Sequence, residues 1–385
     1  MADVHGHIDA LVIGGGQAGL AVGYHLDKRG IPATILDENQ TVGASWRNRW
    51  DALRLFTPAP YDGLPGMPFP GRRSTYPTKD QMADYLASYV ERFRLDVRTG
   101  ARVERLSREG ASFTVYSRSS AITADYVVVA TGAYQKPRIP DFAGDLDPGI
   151  VQLHSKEYRN PSQLRDGRVL VVGAGNSGSE IALDVARDHE VWLSGPDTGQ
   201  EPTRAGSIAD RLITPLMWLG ATRLTVETRA GRKMRDRFLN PPRGIPLGRA
   251  RRKDIAAAGI ERMGRTIGVH DGRPVLDDGR VVEAANVIWC TGFDPDFSWI
   301  DLPIALENGY PRHKRGVIDS EPGLFFVGLQ FLYSLSSALV GGAGRDAEHI
   351  VGHIVADRLA NPRGQGSGSM AGGRPSNYQE PVAGG

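Results

Sequence analysis

The 385 residues carry a formal net charge of +2, with 40% apolar and 23% charged side chains and a single cysteine, Cys290. That length holds two ordinary domains; the near-balanced charge gives no pull toward nucleic acid or membrane; and one cysteine excludes both an internal disulfide and a dithiol redox pair. Met1–His7 lacks a charged leader with an apolar core, and no apolar run nears the roughly 20 residues of a membrane span, so a cytoplasmic protein without nucleic-acid or membrane partner is expected.

Ile8 to Ile13 reads as a strand that breaks into Gly14-Gly-Gly-Gln-Ala-Gly19, followed by a helix burying Leu20, Ala21, Val22, Tyr24 and Leu26 and stopped by Gly30. Gly14 suits the tight turn, Gly16 a close backbone approach to a diphosphate, and Gly19 the packing of helix on strand. The next strand, Ala33 to Leu36, ends in Asp37-Glu38. An acid about 20 residues past such a loop is placed to bind ribose hydroxyls. Gly43-Ala-Ser-Trp-Arg-Asn-Arg-Trp50 leads into an irregular segment from Pro58 to Pro77, of the kind that covers a cofactor. Thr78-Lys-Asp-Gln81 opens a helix with Met82, Tyr85, Leu86 and Tyr89 as its core stripe. Short alternating strands at 95–97, 103–106 and 113–116 precede Tyr126-Val-Val-Val-Ala-Thr-Gly132, a buried strand, and the extended connector Lys136-Pro-Arg-Ile-Pro140.

A second strand–loop–helix pattern begins at Arg168, with Gly173-x-Gly175-x-x-Gly178 and then Ile181, Ala182 and Val185 on one face. The strand after it, Glu190 to Ser194, ends without an acid; Ser194 stands there, with Arg204 downstream. A hydroxyl or guanidinium accommodates the 2′-phosphate that a carboxylate repels, which favours NADPH over NADH. The other reading makes Ser194 and Arg204 solvent-exposed turn residues. Pro196 to Lys253 is irregular apart from a helix around 208–219, and its Arg- and Lys-rich part from Arg229 reads as a solvated surface. Strands at 266–269 and 274–276 precede a hairpin signal at Asp277-Asp-Gly279. Ala285-Asn-Val-Ile-Trp-Cys-Thr-Gly-Phe293 echoes the strand at 127–132, 321–328 is a last strand, and 347–359 a closing helix. The expected fold is α/β, with two Rossmann-like dinucleotide-binding domains. Residues 149–297 are inserted into a unit made of 1–148 and 298–360, and the tail, 361–385, is disordered. The histidines show no metal-ligand spacing, and the oligomeric state is left open.

Taken in order, these motifs resemble those of the flavin-containing monooxygenases, over roughly residues 8 to 358. Gly14-x-Gly16-x-x-Gly19 with Asp37 is similar to the family's FAD loop and ribose acid, and Gly43-Ala-Ser-Trp-Arg47 to its signature beside the flavin. Ala130-Thr-Gly132 with Pro137 and Pro140 is similar to the interdomain linker, Gly173 to Gly178 to the NADPH loop, and Cys290-Thr-Gly-Phe293 to the second Thr-Gly element. Arg54-Leu-Phe-Thr-Pro58 and Thr75 to Gln81 are most similar to the auxin-biosynthesis branch and its bacterial relatives. The family's Phe-x-Gly-x-x-x-His motif is altered to Asp147-Pro-Gly-Ile-Val-Gln-Leu-His154, and Pro58 stands where animal members carry an Asn beside the flavin.

The resemblance implies FAD at Gly14, Gly16, Gly19, Asp37, Glu38, Trp46, Arg47, Thr131 and Gly132. It implies NADPH at Gly173, Gly175, Asn176, Ser177, Gly178, Ser194 and Arg204. Arg47, Gln81 and His154 are the catalytic candidates; His154 reads equally as a structural hydrogen-bonding histidine. The implied cycle passes hydride to the flavin and forms a C4a-(hydro)peroxyflavin with molecular oxygen, which oxygenates a small organic substrate. The alternatives are an FAD-dependent reductase passing electrons to a quinone or protein acceptor, and a nucleotide sensor without turnover.

Overall fold

The computed structural model describes residues 4–118, 120–239 and 246–361; the tail expected to be disordered falls outside these apart from Asn361. The chain starts with β1 (Val4–Ile13), whose last four residues are fully enclosed, then α1 (Gln17–Lys28) and β2 (Ala33–Leu36). Thr78 caps α2 (Lys79–Phe93) by accepting from the Gln81 amide while the Gln81 side chain accepts from the Thr78 amide. That reciprocal capping box satisfies two of the helix's orphan donors. The strands β3 (Val97–Arg98), β4 (Val103–Glu109), β5 (Ser112–Ser117) and β6 (Ala121–Val129) complete the first sheet in the order β3-β2-β1-β6-β5-β4. Neighbours are parallel from β3 to β6 and antiparallel from β6 to β4.

The second sheet uses β7 (Val151–His154), β8 (Val169–Val172), β9 (Val191–Ser194), β10 (Glu261–Met263) and β11 (Asn286–Trp289) in the order β10-β9-β8-β11-β7, all parallel. Every residue of β8 is buried, as the unbroken Val-Leu-Val-Val run requires of a central parallel strand. The helix α3 (Asn176–Val185) follows β8. The chain then returns to the first sheet: β12 (Leu324–Phe326) pairs with Val127 to Val129 of β6, whereas β5 pairs with its first half, Ala121 to Ala124. The architecture is therefore one Rossmann-like unit inserted into another. A closing helix, α6 (Ala343–Ala360), packs on α1.

Two sequence readings change. The segment 196–253, read as mostly irregular, contains α4 (Ile208–Arg223) and α5 (Arg229–Leu239). The first is the helix expected around 208–219, longer by four residues and continuous through Pro215; the charge of the second reads as loop. The tight hairpin joining 266–270 to 273–276 turns at Asp271-Gly272, both left-handed with φ of 48° and 71°, ahead of the Asp-Asp-Gly signal. Residues 277–280 form a further turn closed by the Val275–Val281 bridge.

Candidate functional site

The two glycine loops are superimposable in their local chemistry. Gly14 N–H donates to Leu36 O and Gly173 N–H to Ser194 O. A Cβ on Gly19 would lie 1.9 Å from Gly14 O, and one on Gly178 1.7 Å from Gly173 O, so each helix is drawn onto its strand where only glycine fits. Gly16 and Gly175, by contrast, face open space, with nothing within 4 Å of a Cβ. Both α1 and α3 begin without a side-chain cap, leaving first-turn amides and the positive helix end for an anion. Open glycine and uncapped helix together fit the diphosphate of a dinucleotide at each loop.

The register of these bonds reassigns one position. Leu36 and Ser194 are equivalent, so the counterpart of Asp37 is Gly195. Asp37 accepts from Gly15 N–H through Oδ2 at 2.6 Å and from Asn39 N–H through Oδ1 at 2.8 Å. Ser194 is fully buried; its hydroxyl donates to Gly264 O at 2.8 Å and lies 2.8 Å from Thr266 Oγ1. It is turned away from any nucleotide, and the reading of Ser194 as a 2′-phosphate contact is corrected on that ground. Arg204 lies in the exposed turn before α4, and among the described residues its side chain has no hydrogen-bond or ion-pair partner. Arg262 on β10 instead reaches Gly195 O at 3.2 Å.

The other candidates are placed as follows. Trp46 Nε1 donates to Gln17 at the start of α1, at 3.2 Å, beside the first loop. Arg47 points outward to Asp84 at 2.7 Å and Asp80 at 3.7 Å, an exposed ion pair unsuited to catalysis. Gln81 sits in the capping box, its Oε1 accepting from Thr78 N–H at 3.0 Å. Glu38 is exposed and reaches Arg102 at 3.9 Å. His154 is enclosed: Nδ1 accepts from Lys156 N–H at 3.1 Å, which makes Nε2 the donor to Gly292 O at 3.0 Å. With Nδ1 accepting from a backbone amide the ring is neutral, and burial lowers its pKa; His154 ties the end of β7 to the turn at Gly292 within the inserted unit. Asn176 is likewise engaged, donating to Pro246 O and accepting from Gly248 N–H at 2.9 Å; it pins a strap across the second loop. Ser177 stands in the first turn of α3.

Between the units, Thr131 and Gly132 are held by Gln135, whose Nε2 donates to Thr131 Oγ1 at 2.8 Å and Gly132 O at 3.0 Å while its Oε1 accepts from Asp296 N–H. Lys136-Pro137 and Phe293-Asp294 pair antiparallel there. Arg249 spans the same divide: its guanidinium grips Glu180 on α3 at 2.7 Å and 3.2 Å and donates to Leu55 O in the first unit at 2.7 Å. Arg249 carries no local signal; only its long-range contacts to Glu180 and Leu55 reveal it.

Residues 61–76, helix α4 and the start of α6 meet here. Tyr76 OH donates to Asp210 of α4 at 2.6 Å, Tyr61 stacks on Trp218 at 5.0 Å, and Arg345 donates to Thr222 O at 2.7 Å. Beneath them Asp62 is wholly buried, with Oδ1 accepting from Thr57 and Oδ2 unpartnered among the described residues. Burial pushes its carboxyl up to about 7, against the Thr57 bond. The native state thus keeps a proton that the unfolded chain releases above its ordinary carboxylate pKa. That contribution is complete at low pH and lost as pH rises through about 7. Asp62→Asn is therefore expected to raise the thermal midpoint at pH 8, by up to about 4 kcal/mol of stability, with the gain vanishing near pH 4. An equal gain at both pH values would contradict a protonated Asp62.

Residues 11–214 match the family model described as pyridine nucleotide-disulphide oxidoreductase. An uncharacterized CzcO-like oxidoreductase of Geobacillus kaustophilus is 39% identical over 90% of this chain and 98% of its own. YUCCA7 of Arabidopsis thaliana, a probable indole-3-pyruvate monooxygenase, is 30% identical over 83% of this chain and 82% of its own. The solved flavin-containing monooxygenase of Stenotrophomonas maltophilia aligns with a TM-score of 0.72 at 26% identity, covering 91% of this chain and 99% of that one. The chain belongs to the flavin-containing monooxygenase family. As a member, it is a flavoprotein oxidoreductase that also binds a nicotinamide dinucleotide. The disulphide chemistry in the family model's description does not extend to thiols of this chain, since Cys290 is its one cysteine and burial pushes that thiol far up.

Proposed function

We propose that this flavin-containing monooxygenase family member holds FAD on the loop Gly14 to Gly19, takes NADPH on the loop Gly173 to Gly178, and oxygenates a small organic substrate with molecular oxygen. The observation that carries the division of labour is the contrast between Asp37 and Gly195 at equivalent positions of two otherwise matching loops. A carboxylate suits the ribose of a resident FAD. Its absence, with Arg262 at Gly195 O, suits a nucleotide bearing a 2′-phosphate. Bound flavin supplies the redox chemistry, accepting hydride and activating oxygen.

The chain's own residues orient and enclose. Trp46 braces the first turn of α1 through Gln17. Arg249 clasps α3 to the Leu55 segment, fixing the second loop against the first unit. The inner face of α4 covers Tyr61 and Tyr76 and keeps water from that side of the cleft. Similarity to solved and curated monooxygenases supports oxygenation as the outcome.

The test is isotopic. Purified enzyme given NADPH, ¹⁸O₂ and a panel of amines, sulfides, ketones and 2-oxo acids is expected to place one labelled oxygen in at least one product. Hydrogen peroxide equal to NADPH consumed, with every compound, would overturn oxygenation. Electron delivery to a quinone or protein acceptor would then take its place. For the nucleotide, Arg262→Ala is expected to raise KM for NADPH by ~10-fold, the loss of about one charge-assisted bond, and leave NADH unchanged. Equal losses for both would remove Arg262 from the 2′-phosphate.

A further inference from the structure

Helix α4 is inverted relative to an ordinary surface helix. Its polar and aromatic positions face inward: Asp210 accepts from Tyr76 OH, from Gly206 N–H at 2.8 Å and from Thr214 at 2.9 Å. Trp218 stacks on Tyr61, and Thr222 O accepts from Arg345. Those residues recur every four positions. The opposite stripe is aliphatic and faces solvent: Ile208 is 78% exposed, Leu212 75%, Leu216 69% and Leu219 42%. Their spacing of 4, 4 and 3 makes one continuous ridge about 17 Å long. A helix anchored so firmly on its polar side has no intramolecular use for such a ridge, and contiguous exposed apolar surface marks a docking site.

Charge decides what covers it. Arg211 lies within the first turn of the ridge and Arg223 one turn past its end, and both are exposed. After a five-residue link comes α5, whose solvent face repeats Arg229, Arg232, Lys233 and Arg237 with the single acid Asp236; Phe238 packs inward on Phe331. Residues 208–239 contain seven cations and three acids in a chain whose whole net charge is +2. Of those acids Asp210 is buried and Glu227 is bonded by Tyr333 OH at 3.2 Å. A second copy laid antiparallel on the ridge would bring the Arg223 end of one helix against the Arg211 end of the other, with Asp236 of α5 as the one remaining acid of residues 208–239 to set against seven cations. An aliphatic ridge framed by cations is instead the pattern of a helix lying in the interface of an anionic bilayer.

We infer that α4 and α5 form a lipid-docking face. Ile208, Leu212, Leu216 and Leu219 enter the acyl boundary, and Arg229, Lys233 and Arg237 engage anionic headgroups. The expectation that the chain has no membrane partner rested on its near-balanced net charge and on the lack of a spanning run, and neither speaks to a local cationic face. No described helix is long and apolar enough to cross a membrane, but lying on one needs neither that length nor that composition. Docked this way, α4 touches lipid with one face while the other walls the segment around Tyr61 and Tyr76.

The experiment is co-sedimentation of the full-length flavin-loaded protein with vesicles of phosphatidylcholine alone or mixed with phosphatidylglycerol. Wild type is expected to pellet with the mixed vesicles at 0.1 M salt, and to be released at 0.5 M salt or by omitting the anionic lipid. Leu212→Glu with Leu216→Glu is expected to weaken partitioning by ~100-fold, and Arg229→Glu with Lys233→Glu and Arg237→Glu to abolish the preference for anionic lipid. Both should keep wild-type flavin content and NADPH oxidation. The inference fails if wild type stays in the supernatant with every vesicle, or if it pellets equally with neutral lipid. It also fails if light scattering shows a dimer that Leu212→Glu with Leu216→Glu dissociates, since the ridge then joins two copies.

Discussion

Gly178→Ala is expected to purify yellow, with full flavin content, and to be reduced by NADPH at least ~100-fold more slowly than wild type. The methyl group would sit 1.7 Å from Gly173 O and 3.2 Å from Cys290 Cβ, contacts that no side-chain rotation relieves because one partner is backbone. The start of α3 must lift from β8, and the loop that would receive the diphosphate opens with it. About 3 kcal/mol of lost binding and alignment is enough for the stated factor. The first loop is built from a different sheet and keeps its cofactor. Stopped-flow absorbance of the flavin under anaerobic NADPH is the measurement. Wild-type bleaching would remove the nicotinamide from this loop, and a colourless protein would mean that the two loops exchange roles. Gly19→Ala is the mirror experiment: its Cβ would meet Gly14 O at 1.9 Å, and flavin is what should be lost.

Arg249→Met carries the second large effect. Glu180 and Arg249 are both largely enclosed, their side chains only 12% and 18% exposed, and burial already pushes the Glu180 carboxyl up against the attraction of Arg249. Removing the guanidinium leaves a buried carboxylate without its counter-ion, at a cost of about 3–5 kcal/mol. The surviving acid then escapes by taking up a proton, so the loss should be greatest at pH 8 and smaller at pH 5. Denaturant unfolding at both pH values checks this. Adding Glu180→Gln to Arg249→Met should recover most of the loss, because the penalty comes from the stranded charge rather than from the missing contact. A double variant no more stable than the single one would place the effect in the bond to Leu55 O instead.

What could be read in the sequence was what local geometry dictates. The glycines at 14, 19, 173 and 178 recur because strand and helix must touch within a few residues. Thr78 and Gln81 announce a helix start because the box closes within one turn. Gln81, a catalytic candidate by resemblance, has its Oε1 taken up by that cap. Ser194 failed by a single residue: the strand end was legible, but which residue leaves the sheet depends on the bond from Gly173 N–H to Ser194 O. His154 could be read as strut or as catalyst until its two ring nitrogens were seen to be satisfied by Lys156 and Gly292. Arg249 and the inverted packing of α4 are beyond reach for a common reason. Their partners lie far along the chain, and the residue types alone point to an exposed surface.

The split pairing of β6 governs how this chain can be made and cut. Its second half waits for Leu324 to Phe326, so the first unit stays open at that edge until residue 326 has left the ribosome. The inserted unit draws all five strands of its sheet from residues 151 to 289 and can close earlier, while its host is still incomplete. A fragment ending near residue 148 would expose Val127 to Val129 as a bare hydrophobic edge and invite aggregation, whereas a fragment of 149–297 contains its complete sheet. The domain that comes second in the chain is thus the one that assembles first.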